Sequence, residues 1–138
     1  MAAKIVPFRR WHLEWLQGDA ITGFKINPSE LDVLEAANSW TAVVDGNQVA
    51  CGGYLQQWPG RNIAWAFLNP KSAPYMLTIT RTAKTLMQSL KGRIEMTTRA
   101  DFEAGHRWAE LLGFRIECPI LEGYGPEGEA HTAYVRIQ

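Results

Sequence analysis

Apolar residues along the chain change repeatedly between helical spacing and strand-like alternation, and these changes divide the sequence into short elements. The spacing predicts a strand at residues 4–8 and a helix at 9–17 that Gly18 ends. After a loop at 21–26, Pro28 favours the first turn of a second helix, which Asn27 or Ser29 caps. That helix runs through Leu34 to about Asn38.

Three strands in succession follow, at residues 40–45, 48–57 and 62–68. Asp45-Gly46-Asn47 is a hairpin turn in which Gly46 and Asn47 tolerate positive φ, and residues 58–60 form the second turn. The pair Gly52-Gly53 indicates a bulge or a close backbone approach. The third strand has apolar residues on both faces, which predicts a central position covered on both sides.

The longest helix is predicted from Pro74 to about Lys91, after a loop at 69–73, because proline is tolerated in the first helical turn and not deeper. Its apolar stripe consists of Ile79, Ala83, Leu86, Met87 and Leu90. Gly92 ends it, and a strand at 93–98 follows.

A short amphipathic helix at about 104–112 comes next, with Trp108, Leu111 and Leu112 as its buried stripe and Gly113 as its C-cap. Strands at 114–121 and 131–137 close the chain, and the Gly-rich segment between them is predicted to be exposed. The element order is β-α-α-β-β-β-α-β-α-β-β. It predicts an α/β (α+β) fold in which a mixed central sheet carries helices on both faces.

Composition narrows the function classes. The length of 138 residues predicts a single domain spanning 1–138. Lys plus Arg and Asp plus Glu both number 14, so the basic excess of a nucleic-acid binder is missing. No apolar run approaches the roughly 20 residues of a membrane span. The N-terminal residues are unlike a signal peptide, and Cys51 and Cys118 are predicted to be free thiols, which together favour a cytoplasmic protein.

Candidate chemistry is sparse. His12, His106 and His131 do not share metal-ligand spacing, so no metal site is predicted. His106 titrates in a range suited to acid–base work, Glu95 is a candidate general base, and Tyr124 in the Gly-rich loop is a candidate acid. For His106 an ordinary solvent-facing or hydrogen-bonded helix residue is the favoured interpretation, and Glu95 is equally compatible with simple solvent exposure.

The six tryptophans are many for this length. Core packing accounts for Trp65 and Trp108, whereas Trp11, Trp15 and Trp58 fall near helix surfaces or turns. Exposed aromatic residues are enriched at interfaces, so association with a second copy or another partner is also an expectation.

The whole element order resembles the GNAT (GCN5-related N-acetyltransferase) superfamily. The most specific segment is AGHRWAELLGF, in which Trp108, Leu112, Gly113 and Phe114 match the hydrophobic frame of the family's helix–Gly-Phe–strand junction. Its compact length and the His-Arg-Trp at 106–108 are also similar to small GNAT-like proteins of tailed phages, including an internal virion protein. The resemblance implies transfer of an acetyl group from acetyl-CoA to a primary amine of a small molecule or protein.

In GNAT enzymes the strands corresponding to 62–68 and 93–98 splay apart and the acetyl-CoA arm enters the gap. The resemblance therefore implies that the backbone around Trp65, Phe67 and Leu68 holds the pantetheine. The diphosphate would lie at the start of the following helix, where free N–H groups and the helix dipole favour anions. Four residues would hold it there, namely Lys71, Ser72, Tyr75 and Met76.

Several family positions depart from the pattern. In the phosphate loop Ala73 stands at the Arg/Gln position, while Met76 and Thr78 replace the two small residues. Ala109 stands where many members have a catalytic tyrosine, and the asparagine that often opens that helix falls near Phe102. Two functions stay open: an N-acetyltransferase, or an inactive GNAT-fold protein, plausibly phage-encoded, that acts in virion assembly or partner binding.

Overall fold

The structure, a computed structural model, describes residues 3–16, 28–36 and 38–138. The helices are α1 Arg10–Leu16, α2 Pro28–Ala36, α3 Met76–Gln88 and α4 Glu103–Leu111, and a 3₁₀ helix spans Pro70–Tyr75. The strands are β1 Lys4–Pro7, β2 Asn38–Val44, β3 Asn47–Trp58, β4 Arg61–Leu68, β5 Arg93–Arg99, β6 Arg115–Leu121 and β7 His131–Ile137.

The described strands form a mixed sheet in the order β1-β2-β3-β4-β5-β7-β6. β4 and β5 pair in parallel, whereas β1 with β2, β2 with β3, β5 with β7 and β6 with β7 are antiparallel. The predicted fold class and element order are therefore confirmed, including the central place of β4.

The chain divides into two compact units, and residues Met1–Leu55 with Trp65–Gln88 make up the first. Its buried cluster joins α1, α2, β3 and β4 and consists of Phe8, Leu13, Leu34, Cys51 and Phe67. Helices cover both faces of β2, because His12 of α1 contacts Thr41 whereas the neighbouring Trp40 shares a groove with α3. Adjacent residues of a strand point to opposite faces.

Residues Gln56–Ala64 and Ser89–Gln138 make up the second unit. α4 packs on its strands, and the fully buried residues include Ile94, Ala109 and Val135. The contact between α4 and β5 is close, because a Cβ added at Gly105 would lie 2.2 Å from the Thr98 hydroxyl oxygen. The expectation that residues 1–138 form a single domain stays a prediction.

The helix boundaries near prolines differ from the predictions. Residues 70–73 are predicted as a loop but belong to the 3₁₀ helix, which also contains Pro74. α3 itself begins at Met76 and ends at Gln88. Pro74 therefore precedes α3 and does not interrupt its hydrogen bonds. α2 ends at Ala36 and includes Ser29, so Ser29 is not its N-cap. Asn27, the predicted loop at 21–26 and Ala37 fall outside the described residues.

Turn and helix faces bring further corrections. In the β2–β3 hairpin, positive φ values belong to Asp45 and Gly46, whereas Asn47 already lies in β3. A two-residue turn of this kind requires positive φ at both central positions. On α4, Leu112 is buried as predicted but Leu111 is 62% exposed, because Ala109 lies on the buried face instead.

The glycine pair on β3 makes the close approach that the sequence predicts. A Cβ at Gly52 would lie 2.9 Å from the Trp65 carbonyl oxygen, and one at Gly53 would lie 2.2 Å from the Asn38 carbonyl oxygen. The bulge is elsewhere, since the register between β2 and β3 shifts at Ala42 and Val43.

Both cysteines are free thiols, as predicted; Cys51 is buried, and burial raises its pKa. Among the tryptophans, Trp40 is buried. Trp11 and Trp58 are about half exposed, in agreement with their predicted surface positions. None of the described helices is long and apolar enough to cross a membrane.

His12 makes a buried connection between α1 and β2. Its Nδ1 accepts a hydrogen bond from the Arg9 backbone N–H at 2.9 Å and lies 2.8 Å from the Thr41 hydroxyl oxygen. Burial, followed by the charge of Arg9, lowers the pKa of His12. The neutral ring is therefore the form that the fold holds, since a protonated Nδ1 could not accept from Arg9.

This arrangement predicts acid sensitivity near neutral pH. Because the pKa of His12 is lower in the folded than in the unfolded chain, protonation favours unfolding. The stabilisation is complete above the unfolded value of about 6.5 and decreases as the pH falls below it. Urea denaturation between pH 8 and pH 5 measures the effect, which we expect His12→Gln to flatten, because the glutamine oxygen accepts from Arg9 without titrating. An unchanged slope in the variant would contradict this account.

Candidate functional site

In the first unit, β4 leads through Asn69 into the 3₁₀ helix and then α3. Asn69 is buried, and its backbone N–H donates to the Val49 carbonyl at 2.9 Å. Its side-chain oxygen accepts from the Lys71 N–H at 2.8 Å, and its carbonyl accepts from the Ser72 N–H at 2.8 Å. Asn69 therefore caps the 3₁₀ helix and fixes the direction in which the chain leaves the sheet.

The same hydrogen bonds occupy the backbone donors at the predicted phosphate site. Besides Lys71 and Ser72, the Met76 N–H donates to the Ala73 carbonyl. Pro70 and Pro74 have no N–H to offer. A loop that binds a diphosphate presents several free N–H groups toward it, so this corner of the fold is poorly supplied with such donors.

The side chains proposed for the cofactor differ in exposure. Lys71 is exposed, Tyr75 and Met76 are half-buried, and Ser72 is only 2% exposed. The cation can therefore reach a bound anion directly, whereas the Ser72 hydroxyl reaches one only after a local rearrangement.

The side chains at the end of β4 belong mainly to the core. Phe67 and Leu68 are buried, and the Trp65 ring packs on Phe8 at 5.3 Å between centroids. The Trp65 indole N–H is buried and has no hydrogen-bond partner. A ligand of this strand would therefore bind the backbone. In the part of β4 that belongs to the first unit, the Trp65 indole N–H is the one buried side-chain donor without a partner among the described residues.

In the second unit, Glu95 lies within an ion-pair network. Its carboxylate accepts from Arg61 at 2.7 and 3.0 Å and from the Arg93 Nε at 2.7 Å, and Arg93 also binds Glu117. The guanidinium of Arg61 in turn lies 4.8 Å from the centre of the Trp58 ring. These four charges form a continuous network across one face of the strands, which we call the Glu95 network.

The network determines the chemistry of Glu95. The hydrogen bond from Arg61 is the largest cause that lowers the pKa of Glu95, to about 2, and Arg93 adds to it against the effect of burial. A carboxylate with so low a pKa is ionised at neutral pH but is a weak base, and its oxygens already accept three hydrogen bonds. The geometry thus favours a structural role over the general-base role that the sequence suggests.

His106 has both ring nitrogens in hydrogen bonds. Nε2 lies 2.9 Å from the Ala100 carbonyl oxygen, which can only accept, so Nε2 carries the hydrogen of the neutral ring. Nδ1 then accepts from the Tyr134 hydroxyl at 2.6 Å. Burial is the first cause that raises the pKa of Tyr134, so this hydroxyl keeps its proton. His106 connects α4 to β7 and to the turn after β5, and proton transfer through it requires one of these bonds to break.

The catalytic candidates of this unit do not converge. Glu95 pairs with Val135 in the β5–β7 register, whereas His106 binds the adjacent Tyr134, so Glu95 and His106 lie on opposite faces of the strands. Tyr124 is 54% exposed and its ring contacts the ring of His131, which is opposite Arg99 on the Glu95 face. Of the three candidates, Tyr124 is the one residue that is exposed.

Two partners in these clusters escape sequence reasoning. Arg93 and Glu95 alternate on one strand, which signals a common face, but nothing local connects them to Arg61. Tyr134 pairs with His106, 28 residues away in the chain. Ala109, at the position where the resemblance expects tyrosine, is fully buried, and Phe102 at the start of α4 makes no side-chain cap. Across residues 3–16, 28–36 and 38–138, no three His, Cys, Asp or Glu side chains form a metal-binding group.

No protein-family model and no curated protein matches the chain. Several solved structures, in contrast, are similar to it in fold. Ard1 from Thermoplasma volcanium is 14% identical, with a TM-score of 0.76 over 99% of this chain and 98% of that one. A GNAT-family acetyltransferase from Bacillus anthracis is 16% identical, with a TM-score of 0.68 over 99% and 95% of the two chains.

A GNAT superfamily phosphinothricin acetyltransferase from Sinorhizobium meliloti, in complex with AcCoA, is 11% identical. Its TM-score is 0.67 over 99% of this chain and 88% of that one. Nothing in these similarities concerns a phage origin, which stays a prediction. Identities this low establish the fold and not the activity. The chain has the fold of the GNAT acetyltransferases.

Proposed function

We propose that this protein is an N-acetyltransferase that transfers an acetyl group from acetyl-CoA to a primary amine. The fold supports this proposal, and the observation that carries it is the passage from β4 through Asn69 and the 3₁₀ helix into α3. That passage places an exposed cation, Lys71, before the N-terminal end of a 13-residue helix, where an anion is stabilised by the helix dipole.

The residues would divide the work as follows. The backbone at Trp65, Phe67 and Leu68 would hold the pantetheine, and Lys71 would bind the diphosphate, with Tyr75 and Met76 beside it. The amine nitrogen would attack the thioester carbonyl carbon and give up its proton to solvent water, and the bond between that carbon and the thiolate sulfur would break. Tyr124, whose side chain is about half exposed, is the group we propose as the acid for the leaving thiolate.

Calorimetric titration with acetyl-CoA tests the proposal. We expect weak, saturable binding, because the backbone N–H groups of Lys71, Ser72 and Met76 are already used. Lys71→Ala should weaken it about fivefold, the order expected when one exposed charge contact is lost. Lys84→Ala removes an exposed lysine from the body of α3 and should leave the affinity unchanged.

A second candidate is a GNAT-fold protein without catalysis that acts by binding a partner, such as a virion component or a second copy. The occupied N–H donors and the buried Ala109 favour it. The same titration separates the two candidates. No heat at millimolar acetyl-CoA would overturn the transferase proposal and leave partner binding, whereas binding that depends on Lys71 would justify a screen of amine acceptors.

A further inference from the structure

Charge is distributed unevenly along this neutral chain. Between Asp45 and Glu95 there is no acidic residue and there are six basic ones. Two of these, Arg81 and Lys84, are exposed on α3, a helix that has no acidic residue, and neither forms an ion pair in the described part of the chain. The outer face of α3 is therefore a basic surface without internal compensation, which can attract acidic partners.

A groove of about 510 Å³ adjoins this surface in the first unit. Ile5, Trp40 and Leu86 supply its apolar lining. Thr78 and Thr82 of α3 also line it, and Thr82 donates its hydroxyl hydrogen to the Thr78 carbonyl at 2.9 Å. Most of the groove is apolar, and its polar groups come from one helix.

One side of the groove is formed by a sheet edge. β1 is the first strand in the sheet order and pairs only with β2 among the described residues. Its Ile5 is 37% exposed and lines the groove together with side chains of α3. A groove between an edge strand and a helix is the geometry in which an extended peptide adds a strand and places alternate side chains against the helix.

We propose that the groove between β1 and α3, which we call the β1–α3 groove, binds an extended acidic segment of another protein. The segment pairs with the β1 edge, places apolar side chains over Ile5 and Leu86, and pairs a carboxylate with Arg81. Arginine suits this role because its planar guanidinium binds a carboxylate through two parallel hydrogen bonds.

A single-stranded nucleic acid fits the same surface less well. Proteins that bind single strands stack bases on exposed aromatic rings. The aromatic residue of the groove, Trp40, is only 5% exposed, so its ring offers no stacking platform. The apolar lining and the sheet edge favour a peptide instead. The proposal is independent of the transferase proposal, since none of the groove residues is among those proposed for acetyl-CoA.

A yeast-displayed library of random eight-residue peptides, sorted against the 138-residue chain, provides the probe. We expect selected peptides to be enriched in Asp or Glu between β-branched residues. Anisotropy titrations of the selected peptides should show Arg81→Glu weakening binding at least about tenfold. Lys84→Glu is the matched control, because it makes the same charge change on α3 outside the groove, and it should weaken binding less than about threefold.

Backbone pairing is tested with the same peptides carrying N-methyl groups on alternate amides, which should lose at least about tenfold in affinity. Lys71→Ala should not alter peptide binding, so failure of the acetyl-CoA proposal and failure of this one are distinguishable. Absence of acidic enrichment, equal losses in Arg81→Glu and Lys84→Glu, or displacement of the peptide by an oligothymidylate in an Arg81-dependent manner would each overturn the proposal. Circular dichroism of every variant verifies folding.

Discussion

Gly53→Ala is expected to destabilise the protein by at least about 3 kcal/mol. The added Cβ would lie 2.2 Å from the Asn38 carbonyl oxygen and 2.8 Å from the Ser39 Cα. Both are backbone atoms of the paired strand, so no side-chain rotation relieves the overlap. The strands β2 and β3 would have to separate locally. Because β3 contributes Cys51 to the buried cluster, this separation would also disturb the core.

Gly46→Ala is the matched control for this prediction. Gly46 has a positive φ of 78°, but no atom lies within 4 Å of its added Cβ. The substitution should then lower the free energy of unfolding only by the strain of a side chain at positive φ, about 1 kcal/mol. Urea denaturation of the two variants at one pH gives the comparison. Equal stabilities would show that the strands do not approach as closely as the structure has them.

Glu95→Gln is expected to lower the free energy of unfolding by about 2 kcal/mol at neutral pH. The substitution removes the negative charge between Arg61 and Arg93 while keeping the side chain's size. Both guanidiniums are about one-third exposed, so water compensates part of the loss and the cost stays below that of a fully buried pair. Glu122→Gln in the exposed loop is the control and should be nearly neutral.

The pH dependence of stability provides a second measurement of the Glu95 network. The pKa of Glu95 is about 2 in the fold and 4.5 without its partners. A carboxylate whose pKa is lowered by folding stabilises the folded state fully when the pH is above its pKa in the unfolded chain. This stabilisation is lost as the pH falls toward its pKa in the folded chain. Stability should therefore decline between pH 4.5 and pH 2, and Glu95→Gln should reduce the decline. A wild-type curve that is flat in this interval would argue against the network.

The Glu95 network also shows where sequence reasoning about the site fails. A glutamate on the strand that follows the long helix looks like a base, and only Arg93, two residues earlier on the same face, hints at a partner for its carboxylate. Arg61, 34 residues earlier, occupies its carboxylate, and Glu117 occupies the other side of Arg93. The same holds for His106, whose lone pair is taken by Tyr134. Basicity depends on neighbours in space, and those neighbours come from other strands.

The sequence alone determined the element order, the fold class, the central place of β4 and the hairpin after β2, and it reduced Gly52 and Gly53 to a bulge or a close approach. These features follow from apolar periodicity and from the backbone demands of glycine and proline, which act over a few residues. Even the departures at the phosphate loop could be seen in the sequence, because they are substitutions within one short segment.

The tertiary structure alone decided which polar groups remain available. Periodicity placed Ser72, Glu95 and His106 near the right elements, but packing buries Ser72, and distant partners occupy the other two. It also decided that Arg81 lies at a groove beside a sheet edge. Burial, hydrogen bonding and pKa arise from contacts between segments far apart in the chain, and no local pattern encodes which segments meet.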